Sequence, residues 1–112
     1  MKMIIKYIKV ITMSVIVVGG DHLGSIEKKL YELGAKELIH VSGRKKLDRK
    51  KLPISQRTSF VLVLTDYVNH DIAARVKERA KTLHVPLIFA KRSWSSVEQK
   101  IKAGGFVKAE LC

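Results

Sequence analysis

Residues Phe60 to Lys81, reading FVLVLTDYVNHDIAARVKERAK, restrict the fold more than any other part of the chain. Phe60-Val61-Leu62-Val63-Leu64 is an unbroken apolar run of strand length, with no polar residue at alternate positions. A strand wetted on one face alternates. A strand covered on both faces does not, and such coverage is the habit of parallel sheets flanked by helices. The run stops at a polar cluster of Thr65, Asp66, Tyr67, Asn69 and His70. Ile72, Val76, Ala80 and Leu83 then recur at helical spacing, with Arg75, Lys77, Arg79 and Lys81 between them. That is the pattern of a helix with one buried stripe and a solvated basic face.

The same order of strand, polar loop and helix repeats along the chain. Val15-Ile16-Val17-Val18 is a second strand of the buried type, ending in Gly19-Gly20-Asp21-His22-Leu23-Gly24. A helix fits Ser25 to Leu33, with Ser25 as N-cap, Ile26, Leu30 and Leu33 on one face, and Gly34 as its left-handed stop. Glu37 to Val41 reads as the next strand, leaving through Ser42-Gly43-Arg44. From Arg44 to Lys51 the sequence RKKLDRKK offers charges around Leu47 and no apolar face, so a surface connection is expected. Pro86 to Ala90 is a further strand, with proline at its first position, and Lys91 to Trp94 leave its end. Ser95 and Glu98 stand at capping-box spacing before Val97 and Ile101, with Gly104-Gly105 as terminator. The closing FVKAELC fits a strand or a packed tail.

Alternation with short connections predicts an α/β three-layer sandwich, Rossmann-like or flavodoxin-like, with helices on both faces. Its sheet should be mostly parallel, with about four or five strands in the order 2-1-3-4. At 112 residues, of which 46% are hydrophobic, the chain suffices for one domain with a core. Residues 13–112 are assigned to it. Residues 1–12 form an apolar N-terminal arm or edge strand, because Ile4, Tyr7, Ile8, Val10 and Ile11 are too apolar for a free tail. Lys6 and Lys9 interrupt that segment and no small-residue cleavage site follows, so neither a secretion signal nor a membrane partner is expected.

The 22 Lys and Arg against 10 Asp and Glu give a formal charge of +12, which by itself implies an anionic partner: nucleic acid, a membrane surface, or a small molecule bearing phosphates or carboxylates. Cys112 is the single cysteine, so no internal disulfide forms and a reducing, cytoplasmic compartment is the natural setting.

In the order 2-1-3-4 the chain leaves the first and third strands in opposite directions, which opens a crevice at their carboxyl ends. Gly19 to Leu23 and Thr65 to His70 should line it, flanked by Ser42 to Arg44 and Lys91 to Trp94. The glycines do not match the dinucleotide pattern, since Asp21 stands where a second glycine would admit pyrophosphate. Gly19 and Gly20 are read as turning the chain, with Asp21 helping to cap the helix. His70 opens the long helix, with Asn69 or Asp66 as cap. An imidazole at the positive end of a helix is disfavoured as a cation, and a neutral imidazole is what a metal or haem iron binds. The alternative is that His70 only satisfies helix-end amides, and His40, at a strand end, carries the same ambiguity as a packed core histidine. The four histidines lack paired zinc-ligand spacing. Arg44, Lys45, Lys91 and Arg92 could meet phosphates or carboxylates, while Tyr67 and Trp94 offer flat surfaces to a planar ligand. No catalytic residue is assigned. Asp66 with His70 as a proton-transferring pair, in a hydrolase or transferase, ranks third, after ligand binding and after nucleic-acid or nucleotide binding through the basic loops.

The segments VVGGD, HVSGR, VLVLTDYVNHDIAARVKERAK and VPLIFAKRSW together resemble the bacterial domain-of-unknown-function family DUF2325, over Met13 to Ile101. The resemblance implies a small Rossmann-like protein that forms a homodimer and binds haem b, with a dioxygen-binding or sensing role in place of catalysis. It implies His70 as the axial metal ligand, His40 in reserve, and Arg44 and Arg92 as propionate partners. With no C-x-x-C-H in the chain, haem would be held without covalent attachment.

Overall fold

The structure, a computed structural model, describes residues 13–42 and 52–104. The expectations for the N-terminal arm, for the basic run with Arg44 and Lys45, and for the C-terminal FVKAELC lie outside those residues. Four strands form one sheet: β1 (Ser14–Val18), β2 (Glu37–Val41), β3 (Phe60–Leu64) and β4 (Leu87–Ala90). Their order is β2-β1-β3-β4 and every pairing is parallel. The three helices are α1 (Ser25–Glu32), α2 (His70–Leu83) and α3 (Trp94–Gly104). This is the α/β, flavodoxin-like arrangement that the apolar runs predict.

Side-chain alternation along the strands divides the core into two layers. Val15, Val17, Phe60, Leu62, Leu64, Ile88 and Ala90 face α1 and α3, meeting Ile26, Leu30, Val97 and Ile101. Ile16, Val18, Val61 and Val63 face the other way, onto Ile72, Val76 and Ala80 of α2. All five residues of β3 are buried, which explains why its sequence never alternates. Each such side chain contributes about 1.5–3 kcal/mol by leaving water, so the central strands anchor everything built at their ends.

Helix boundaries follow local hydrogen bonds and correct two of the expected caps. Ser25 does not cap α1. Gly24 occupies that position with φ 57 and no side-chain hydrogen bond, and Ser25 is the first helical residue. The helix stops at Glu32 with Leu33 as C-cap, and Gly34, at φ 115, turns the chain away. In α3 the expected pair of Ser95 and Glu98 makes no capping box. The Ser93 hydroxyl accepts the Ser96 N–H at 3.2 Å, the Ser96 hydroxyl accepts the Lys91 N–H at 3.1 Å, and Glu98 turns instead to Lys102 at 3.8 Å. Pro86 precedes β4 rather than opening it, though its carbonyl still accepts the Val61 N–H at 2.9 Å.

Candidate functional site

The carboxyl ends of the strands lie side by side because the register aligns Val18 of β1 with Val41 of β2 and with Val63 of β3, and Leu64 of β3 with Ala90 of β4. Each strand then delivers its loop to one rim. Hydrogen bonds fasten these loops to one another. The Gly19 N–H donates to the Val41 carbonyl and the Gly20 N–H to the Tyr67 carbonyl, both at 2.9 Å. Gly19 has to be glycine twice over. Its φ is +115, and an added Cβ would stand 3.0 Å from the Leu64 carbonyl oxygen and 3.2 Å from that of Tyr67.

After β3 the chain makes a single 3-10 turn, Thr65–Tyr67, before α2 begins. The Asn69 side chain accepts the Asp71 N–H at 2.8 Å and so caps α2. His70 is the first residue of that helix and is exposed. Asp66, the other cap considered, does something else: its carboxylate accepts the backbone N–H of Arg92 at 2.9 Å. No hydrogen bond joins Asp66 to His70, so the pair expected for an acid–base reaction is not assembled.

Arg92 is fixed at three points. Besides the bond from its backbone to Asp66, its Nε donates to the His22 carbonyl at 2.8 Å, and its Nη2 donates to the same oxygen. Its guanidinium lies over the Tyr67 ring, 5.6 Å from the centroid. Of the five N–H donors of a guanidinium, two are engaged in this way, and the others remain for an anion. One residue of the loop after β4 thereby ties together the loops after β1 and β3.

The result is a cleft of about 540 Å³ lined by Gly20, Asp21, His22, Tyr67, Val68, Asn69 and Arg92. Small-molecule sites run from about 300 to 1,000 Å³ and favour this switch point of open α/β sheets. Six of the expected residues meet at the cleft or fasten it: Gly19, Gly20, Asp21, Tyr67, Asn69 and Arg92. Asp66 supports it through Arg92. Trp94 is not in the lining; it is the first residue of α3, partly buried, and packs on the core. His70 is also outside the lining, one residue past Asn69. His40 has its Nε2 2.9 Å from the Gly19 carbonyl oxygen and 3.0 Å from that of Gly20, so that nitrogen faces the turn.

Two further lining residues, His22 and Val68, fall inside the loops expected to line the crevice, Gly19 to Leu23 and Thr65 to His70, although the sequence reading singles out neither as a site residue. Among the described residues no group of three or more His, Cys, Asp or Glu gathers to hold a metal ion. None of the described helices is long and apolar enough to cross a membrane.

For haem b the lining offers one imidazole, that of His22, one guanidinium, that of Arg92, and little apolar wall. His22 lies in the lining and exposed His70 just outside it, and neither imidazole makes a hydrogen bond among the described residues. Arg92 has donors left for a propionate. Between them only Tyr67 and Val68 give the macrocycle an apolar wall, and the remaining lining is polar.

Compared with models of known protein families, residues 14–103 match the one described as "Uncharacterized protein conserved in bacteria (DUF2325)". No curated protein and no solved structure matches the chain.

Proposed function

The chain belongs to the DUF2325 family, and from the geometry of its cleft we propose a non-enzymatic ligand-binding protein whose ligand is planar and anionic, with non-covalent haem b as the specific candidate. The observation that carries this reading is Arg92. With its backbone N–H on Asp66 and its guanidinium on the His22 carbonyl and over Tyr67, Arg92 is held in the cleft wall with donors to spare beside an exposed aromatic ring. A pre-positioned guanidinium recognises a carboxylate with little loss of side-chain freedom, and Tyr67, 54% exposed, gives a planar group a surface on which to lie. The iron ligand would be His70, as the family resemblance suggests, or His22, which the cleft adds. Haem held by one imidazole supplies reversible dioxygen binding, the sensing role in this reading. A homodimer in the cytoplasm belongs to the same reading.

Hemin titration of the purified protein tests the proposal. A Soret band should grow to saturation at one equivalent per chain, His70→Ala or His22→Ala should shift or abolish it, and Arg92→Ala should weaken uptake about tenfold through the lost charged hydrogen bonds. Hemin that stays unbound at stoichiometric concentrations removes the haem reading.

A second reading rests on the charge of +12, which suits a nucleic-acid or nucleotide-phosphate partner. Its affinity would fall steeply as salt rises, because such binding releases counterions. An oligonucleotide series at several salt concentrations, showing no salt-dependent affinity, eliminates it.

A further inference from the structure

We propose that His40 is a positioning residue: from β2 its Nε2 holds the Gly19-Gly20 turn that shapes the cleft and is committed to the backbone, not to iron. The inference deepens the ligand-binding reading and rests on it for its functional consequence, while its structural half stands alone.

His40 is half-buried and lies opposite Val17 in the β1–β2 register. Its Nε2 approaches two oxygens, that of Gly19 at 2.9 Å and that of Gly20 at 3.0 Å. Both are peptide carbonyls, which only accept, so Nε2 carries the proton and donates to both in a three-centre bond. In the neutral ring the lone pair then lies on Nδ1, on the other edge of the imidazole. Coordination of a metal through Nε2 would require giving up both bonds.

Those bonds matter because of where the glycines stand. Gly19 and Gly20 are buried consecutive residues with φ of +115 and +73. Their N–H groups are committed in different directions, Gly19 to Val41 at the end of β2 and Gly20 to Tyr67 after β3. Their carbonyl oxygens come together at the one imidazole. His40 thus supplies the donor for the remaining polar groups of a turn whose second residue lines the cleft. Removing it leaves two buried carbonyls without that donor, and such groups favour conformations in which water reaches them.

The variants that decide the matter are His40→Gln and His40→Ala. Glutamine carries an N–H donor at the same number of bonds from Cα as Nε2 but no imidazole. In the ligand-free protein, long-range ¹⁵N–¹H correlation should show His40 protonated at Nε2. Hydrogen exchange at the Gly19 and Gly20 amides should quicken about tenfold in His40→Ala and stay near wild type in His40→Gln. With hemin, His40→Ala should bind about tenfold more weakly, while His40→Gln keeps both the position of the Soret band and most of the affinity. A proton found on Nδ1, or glycine exchange unchanged in His40→Ala, overturns the proposal. So does a Soret band altered in His40→Gln with normal glycine exchange, since that would make the imidazole the ligand. If wild-type protein takes up no hemin, the haem reading falls, and the exchange rates alone decide whether His40 holds the turn.

Discussion

At Gly19 two constraints coincide, a backbone angle that side-chain-bearing residues rarely adopt and a Cβ position already closed by main-chain atoms of Leu64 and Tyr67. Its neighbour Gly20 shares only the first; an added Cβ there would meet the Arg92 side chain at 3.4 Å, an ordinary contact distance. Gly19→Ala should therefore lower the unfolding free energy by about 2–5 kcal/mol, strain and overpacking adding together, and Gly20→Ala by about 1 kcal/mol. Urea denaturation of both variants checks this, and equal losses would contradict the contact geometry. Both glycines were recognisable in the sequence as a turn, because paired glycines after an apolar run have few other uses. His40 was not resolvable. A histidine at a strand end looks the same whether it ligates, packs or tethers, and its partners lie about twenty residues earlier, brought near only by the strand order.

Among the elements, α2 and α3 both open beside the cleft, and each start is set by one side chain. Asn69→Ala should cost about 1 kcal/mol, with Asn69→Asp close to wild type, because an aspartate oxygen can accept the Asp71 N–H equally well. In α3 the structure predicts that Ser93→Ala costs about 1 kcal/mol and Ser95→Ala only a few tenths, the reverse of what capping-box spacing suggests. Chemical denaturation of the two serine variants separates the cases directly. The sequence misled here for a physical reason. Three serines fall within four positions, Ser93, Ser95 and Ser96, and which one caps depends on how few residues connect β4 to the helix. Strand length and loop length together decide that, and neither can be read from the serines.

For the molecule as a whole, topology was the most legible property. Apolar runs that never alternate must be covered on both faces, helical stripes supply the cover, and right-handed crossovers with α1 and α2 on opposite faces accord with the order 2-1-3-4. The position of the cleft came with the topology. Its chemistry did not, since the contacts of Arg92 with His22 and with Asp66 and Tyr67 join loops widely separated in the chain. The same architecture makes β3 the centre of stability. Leu62→Ala should cost about 2–5 kcal/mol by opening a cavity between the sheet and its helices, visible as a large drop in denaturation midpoint. Ligand binding at the rim, remote from that core, should raise the midpoint of the intact protein by mass action.

The central claim is that the loops after β1, β3 and β4 form one ligand site. Backbone NMR spectra of isotopically labelled protein, recorded as hemin is added, test it most directly through paramagnetic broadening. Broadening should centre on Gly20, Asp21, His22, Tyr67, Val68 and Arg92. Broadening centred instead on the outer face of α2 around Lys77 and Lys81, or on Tyr31 of α1, would contradict the claim.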